Sequence, residues 1–220
     1  MRNRLPETDI YGITDDNLSL GRPVEEVVAS LLKAGVRIIQ YREKRKKAGE
    51  MLEECRKLRI LTREAGAFFI VNDHVDIAML VEADGVHVGQ DDLPVPEVRR
   101  LVGERCVIGL STHSPEQAAG AVAVGADYIG VGPLYATRTK SDVCDPVGLS
   151  YLSHIVAEQH KSLGGMPFVA IGGIKRHNIA DVITHGARCC CLVSELVGAE
   201  DIPARVAEVR RAIAAAKGQA

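Results

Sequence analysis

Eight short apolar runs of β type, each followed by a stretch with helical periodicity, limit what this chain can fold into more than any other feature. The runs cover residues 10–14, 36–41, 68–71, 85–88, 107–110, 128–131, 168–171 and 189–193. Amphipathic stretches lie between them, among them 24–33, 51–64, 115–123, 149–159 and 178–184. Pro23 and Pro115 stand where a first helical turn begins, a place that needs no amide donor. The pairs Ala34-Gly35, Val124-Gly125 and His185-Gly186 read as helix ends, since glycine takes the left-handed C-cap backbone without a steric penalty. Strict strand–helix alternation gives a parallel sheet with its helices outside. Eight such units with no linker between them predict an α/β fold, a single (β/α)8 TIM barrel over residues 1–220. The rival is an open doubly wound sheet, which usually has fewer strands and a Gly-x-Gly-x-x-Gly turn after the first one; that turn is absent here.

Composition narrows the partners. A net charge of −2 gives no bulk positive field for nucleic acid or an anionic membrane, so any anion site must be local. No apolar run approaches the roughly 18 residues that span a bilayer, and residues 1–9 lack the apolar segment of a secretory signal. The six cysteines form no Cys-x-x-Cys pair, and Cys189, Cys190 and Cys191 are consecutive in an apolar run. They read as reduced, buried thiols in a cytoplasmic protein. Small-molecule substrates are the expected partners, with a homo-oligomer left open.

In a barrel of this class the site lies at the C-terminal ends of the strands. The second run ends in Gln40-Tyr41-Arg42-Glu43-Lys44. Alternation along a strand puts Gln40, Arg42 and Lys44 on one face, where two cations and an amide suit a diphosphate. Arg45, Lys46 and Lys47 read as a solvated turn. Asn72-Asp73 ends the third run and Gln90-Asp91-Asp92 follows the fourth. Carboxylates on neighbouring strand ends can share Mg²⁺, which takes one or two of them and fills its shell with water and phosphate oxygens. Equally, Asp73 could cap a helix starting near His74, and Asp91 or Asp92 one starting after Pro94.

Ser111 at the end of the fifth run is a hydrogen-bond donor, and Ser114 before Pro115 is an N-cap. A catalytic Ser111–His113 pair is possible in principle, but no nucleophile elbow or positioned third member accompanies it, which argues against a hydrolase triad. The stretch from Gly132 to Pro146 exceeds an ordinary connection and carries Thr137, Thr139 and Lys140, two hydroxyls and an ammonium for phosphate oxygens. The seventh run ends in Gly172-Gly173 and the eighth in Val193-Ser194, with residues 194–197 forming a short helix. Barrels of this type often bind phosphate there. His74, His87 and His113 fall near strand ends and line the pocket; no histidine spacing suits zinc, and none is given a catalytic role.

These segments, in this order, resemble the thiamine-phosphate synthase family. The resemblance rests on Gln40 to Lys44, Val71-Asn72-Asp73, Gly85 to Pro94, Ser111 to Ser114, Gly130 to Lys140, Ala170 to Ile174 and Val193-Ser194. It implies a transferase that joins 4-amino-2-methyl-5-hydroxymethylpyrimidine diphosphate to thiazole phosphate, or to its carboxylated form with loss of CO₂, giving thiamine phosphate and diphosphate. It implies pyrimidine diphosphate contacts at Gln40, Tyr41, Arg42, Glu43, Lys44, Asn72, Ser111 and Lys140, with Arg42, Lys44, Ser111 and Lys140 catalytic. It also implies Mg²⁺ on Asp73 and Asp92, and thiazole phosphate at Thr137, Arg138, Thr139, Gly173, Val193 and Ser194. Tyr41 falls at a variable position of the family pattern, and the Cys189–Cys191 run and Glu195 depart from it. A thiazole tautomerase-like barrel would carry histidine where Pro133 stands, and a non-catalytic phosphate-binding barrel would not need both acids and both cations.

Overall fold

The structure, a computed structural model, describes residues 4–137, 139 and 144–218. Eight parallel strands close into a barrel in chain order: β1 Ile10–Ile13, β2 Ile38–Tyr41, β3 Phe68–Asn72, β4 Gly85–Val88, β5 Val107–Thr112, β6 Tyr128–Val131, β7 Phe168–Ala170 and β8 Cys190–Leu192. The ring is sealed where Tyr11 of β1 registers against Cys191 of β8. The connecting helices are α1 Val24–Lys33, α2 Ala48–Glu64, α3 Val75–Leu80, α4 Val95–Val102, α5 Pro115–Ala123, α6 Gly148–Glu158 and α7 Ile179–Thr184. After β8 come the single-turn α8 Ser194–Val197 and the long α9 Ile202–Lys217.

The period-two strand pattern sorts the apolar residues into two shells. Ile39, Phe69, Val86, Ile108 and Ile129 point outward and pack against helix faces such as the Val24, Val27, Val28 and Leu31 stripe of α1. Each fully buried side chain of this size contributes roughly 1.5–3 kcal/mol. Tyr11, Ile13, Ile38, Ile70, Val107, Tyr128 and Val169 point inward, so the barrel is filled rather than hollow. Cys189 and Cys191 belong to that inner shell and Cys190 to the outer one; all six cysteines are free thiols. Burial pushes the Cys190 thiol up to about 12, which makes it an inert packing group.

The base of the barrel is clamped by a recurring ion pair. An aspartate just ahead of a strand meets an arginine from a helix: Asp84 with Arg59, Asp127 with Arg99, and Asp9 with Arg210. Asp84 also accepts the Phe69 N–H, and Asp127 the Ile108 N–H, so each stitches a neighbouring strand to its helix. All three lie at the end of the barrel opposite the residues singled out for chemistry.

The cap readings of Asp73 and Asp92 are not realised. α3 starts behind His74 and α4 behind Pro94, neither with a side-chain cap, while Ser114 does cap α5 through the Gln117 N–H. Asp73 instead takes a left-handed backbone, φ 60°, which a short polar side chain tolerates.

Candidate active site

Strand parity decides which side chains reach the barrel mouth. Gln40 points inward from β2, is buried, and donates from Nε2 to the Tyr11 hydroxyl at 2.7 Å. Arg42 follows on the same face. Its guanidinium donates to Asp15 Oδ2 at 3.2 Å, with the two side chains only 10% and 4% exposed. Its Nε is buried without a hydrogen-bond partner, a donor ready for an incoming acceptor. Lys44 is half exposed and donates to Asp73 Oδ2 at 2.6 Å. The two cations therefore do not face each other bare; each already has a carboxylate.

Tyr41 and Glu43 each have partners within the protein. The Tyr41 side chain leaves β2 on the face opposite Gln40. The Tyr41 hydroxyl donates to Glu54 Oε2 of α2 at 2.6 Å. Burial would raise the Glu43 carboxyl, but the backbone N–H groups of Lys44, Arg45 and Lys46 hold it below the usual carboxylate range and use it to shape the turn.

Asn72 is buried at the end of β3, with Asp73 next to it. Across the gap, Asp92 accepts the Gly89 N–H at 2.7 Å and lies within hydrogen-bond reach of Asp73. Burial raises the Asp73 carboxyl above its ordinary range; the Lys44 ammonium opposes this and the Asp92 charge adds to it. Among the described residues no group of three or more His, Cys, Asp or Glu is placed to hold a metal ion. Two crowded carboxylates, one destabilised in its charged form, suit a divalent ion that takes two protein oxygens and leaves the rest to water and phosphate. The donor set fits Mg²⁺.

Ser111 stands opposite on β5, its Oγ 2.9 Å from His87 Nε2. On the far side of the rim, the Thr137 and Thr139 hydroxyls are joined at 3.1 Å. Arg138 and Lys140 lie outside the described residues. Gly173 has φ 65°, and its carbonyl accepts from Asn178 Nδ2. Val193 is the N-cap residue of α8, and Ser194 Oγ accepts from Lys175 Nζ at 2.7 Å. Glu195 is buried beneath, paired with Arg205 at 2.9 Å.

Several members of the site escaped the sequence reading. Asp15, the partner of Arg42, and Lys175, the partner of Ser194, gave no signal in spacing. Tyr11 and Tyr128 sit at inward positions that counting by two along β1 and β6 would have found. The position of His87 near a strand end is legible in the sequence, but its bonds to Tyr128 and Ser111 are not.

Comparison with known proteins places this rim in context. A family model described as thiamine monophosphate synthase matches residues 10–196. A thiamine-phosphate synthase of Lawsonia intracellularis is 61% identical over 207 residues, covering 94% of this chain and 93% of the relative. One of Pelotomaculum thermopropionicum is 61% identical over 209 residues, covering 95% and 94%. Among solved structures, a thiamine phosphate pyrophosphorylase from Pyrococcus furiosus superposes with a TM-score of 0.83 at 36% identity, covering 94% of this chain and 96% of that one.

Proposed function

This chain belongs to the thiamine monophosphate synthase family, and from that premise we propose how its rim divides the work of coupling a pyrimidine diphosphate to a thiazole phosphate. The half formed by β2, β3, β4 and β5 receives the pyrimidine diphosphate. The half formed by the chain after β6, β7 and β8 receives the thiazole phosphate. The observation that carries this reading is the Arg42 guanidinium, fixed by buried Asp15 with its Nε unpartnered, beside the facing acids Asp73 and Asp92.

The reacting carbon is benzylic to an aminopyrimidine, whose ring can stabilise a cation once diphosphate departs. Arg42 and Lys44 stabilise the charge that develops on the leaving group. Ser111 adds a donor, and Lys140 is proposed to reach the same oxygens. Asp73 and Asp92 would hold Mg²⁺, which neutralises diphosphate oxygens when bound. Lys44, half exposed, is free to move from Asp73 to phosphate when that carboxylate is otherwise engaged. Gly173, Val193, Ser194, Thr137 and Thr139, with Arg138, hold the thiazole phosphate and aim its ring nitrogen. That nitrogen attacks as a neutral lone pair and carries no proton, so the step requires no general base. The free cysteines suit a reducing compartment, and a cytoplasmic location belongs to the same proposal.

The decisive assay supplies both substrates with and without Mg²⁺ and measures thiamine phosphate. Absence of product with Mg²⁺ present would refute the proposal. A narrower expectation concerns Asp92→Asn, which keeps an acceptor for the Gly89 N–H but removes the charge. The Mg²⁺ concentration for half-maximal rate should rise at least about tenfold, within the usual range for a perturbed metal site. An unchanged Mg²⁺ titration would remove Asp92 from the metal site.

A further inference from the structure

Five side chains form one unbroken series across the inside of the barrel. Gln40 Nε2 is 2.7 Å from the Tyr11 hydroxyl, which is 3.0 Å from the Tyr128 hydroxyl. Tyr128 is 2.9 Å from His87 Nδ1, and His87 Nε2 is 2.9 Å from Ser111 Oγ. Both ends are residues of the proposed pyrimidine diphosphate half; the three between them have no assigned role. Space for the series is built in. A Cβ on Gly109 would lie 2.1 Å from the Tyr128 ring, and one on Gly130 would lie 3.4 Å from the His87 ring. Burial raises both phenols well above their ordinary range, so each hydroxyl carries one proton.

The series has a direction. The Gln40 amide nitrogen only donates, so the Tyr11 oxygen accepts and its single proton goes on to Tyr128. Tyr128 then has one proton left, and its remaining neighbour in the series is His87 Nδ1. An accepting Nδ1 leaves the ring proton on Nε2, which donates to Ser111 Oγ. With the opposite direction from Ser111, two donors would converge on the Tyr11 oxygen and its own proton would have no acceptor within the series.

We propose that Gln40, Tyr11 and Tyr128 form a directional relay that holds His87 as its Nε2–H tautomer and obliges Ser111 to present a proton, not a lone pair, to the mouth. Ser111 is thereby preset for an anionic oxygen. Tyr11, Tyr128 and His87 are positioning residues. The inference rests on the reading of Ser111 as a diphosphate contact, but its first test does not.

Full-length protein carrying ¹⁵N-histidine is examined by long-range ¹H–¹⁵N correlation, with His87→Asn used to identify the signal. The expected wild-type pattern is protonated Nε2 with unprotonated Nδ1; Tyr128→Phe should mix the two tautomers. A wild-type Nδ1–H pattern would overturn the relay, and this holds even if Tyr128→Phe fails to fold. In turnover, Tyr128→Phe should lower kcat/KM for the pyrimidine diphosphate about tenfold, the scale of one hydrogen bond, and leave KM for thiazole phosphate unchanged. Ser111→Ala should cost less in the Tyr128→Phe background than in the wild type; full additivity would also overturn the relay. A wild type that forms no thiamine phosphate would instead strike the functional reading and leave the tautomer result standing.

Discussion

Replacing Arg42 with alanine is expected to lower the rate of thiamine phosphate formation about 10²- to 10³-fold, the scale for removing one preorganised charge-stabilising donor. The same substitution should also destabilise the fold, because Asp15 is 4% exposed and has Arg42 as its cation. Breaking a buried pair by removing one partner costs about 3–5 kcal/mol. The two effects separate with Asp15→Asn. An asparagine still caps the turn through the Asn17 N–H but carries no charge to strand. The double variant should recover most of the melting temperature and none of the rate. Recovery of both would mean that Arg42 acts only by holding Asp15, and wild-type turnover in Arg42→Ala would remove it from the diphosphate half altogether.

Gly173→Ala should be a damaging single-methyl change on the thiazole side. The residue sits at φ 65°, and an added Cβ would lie 2.7 Å from the Ala136 carbonyl oxygen and 2.8 Å from Tyr135 Cβ. Those neighbours are not free to retreat, since Leu134 and Tyr135 donate their N–H groups to the Ile171 and Gly172 carbonyls. Backbone strain and overpacking together should cost about 2–4 kcal/mol, near 5–15 °C in Tm for a domain of this size. Any folded fraction should show a raised KM for thiazole phosphate with KM for the pyrimidine diphosphate unchanged. A variant with wild-type Tm and both KM values unaltered would show that the backbone here has room to spare.

Much of this architecture was legible in the sequence because each of its signals is local. The helices expected at 24–33 and 115–123 have those bounds, and the short helix at 194–197 follows β8 as read. Strand five runs on to Thr112, beyond the expected 110, because Ser111 and Thr112 stay in the ladder despite being polar. Thr112 satisfies its hydroxyl there through the Gly130 carbonyl and the Tyr151 hydroxyl. Period two also turns Gln40 inward and Tyr41 outward along β2. What the sequence concealed are pairs distant along the chain. Arg42 finds Asp15 across 27 residues, and Tyr11 finds Tyr128 across 117. Such contacts depend on barrel closure, which no short pattern encodes.

The clamps at the base have an evolutionary consequence. Asp84, Asp127 and Asp9 hold helices to strands through arginines that no ligand at the mouth can reach. Part of the work of keeping the ring closed is thus done by residues at the opposite end of the same strands from those that choose what it binds. Substitutions at the mouth leave these three clamps intact, and the base can be tuned for heat or cold without retraining recognition.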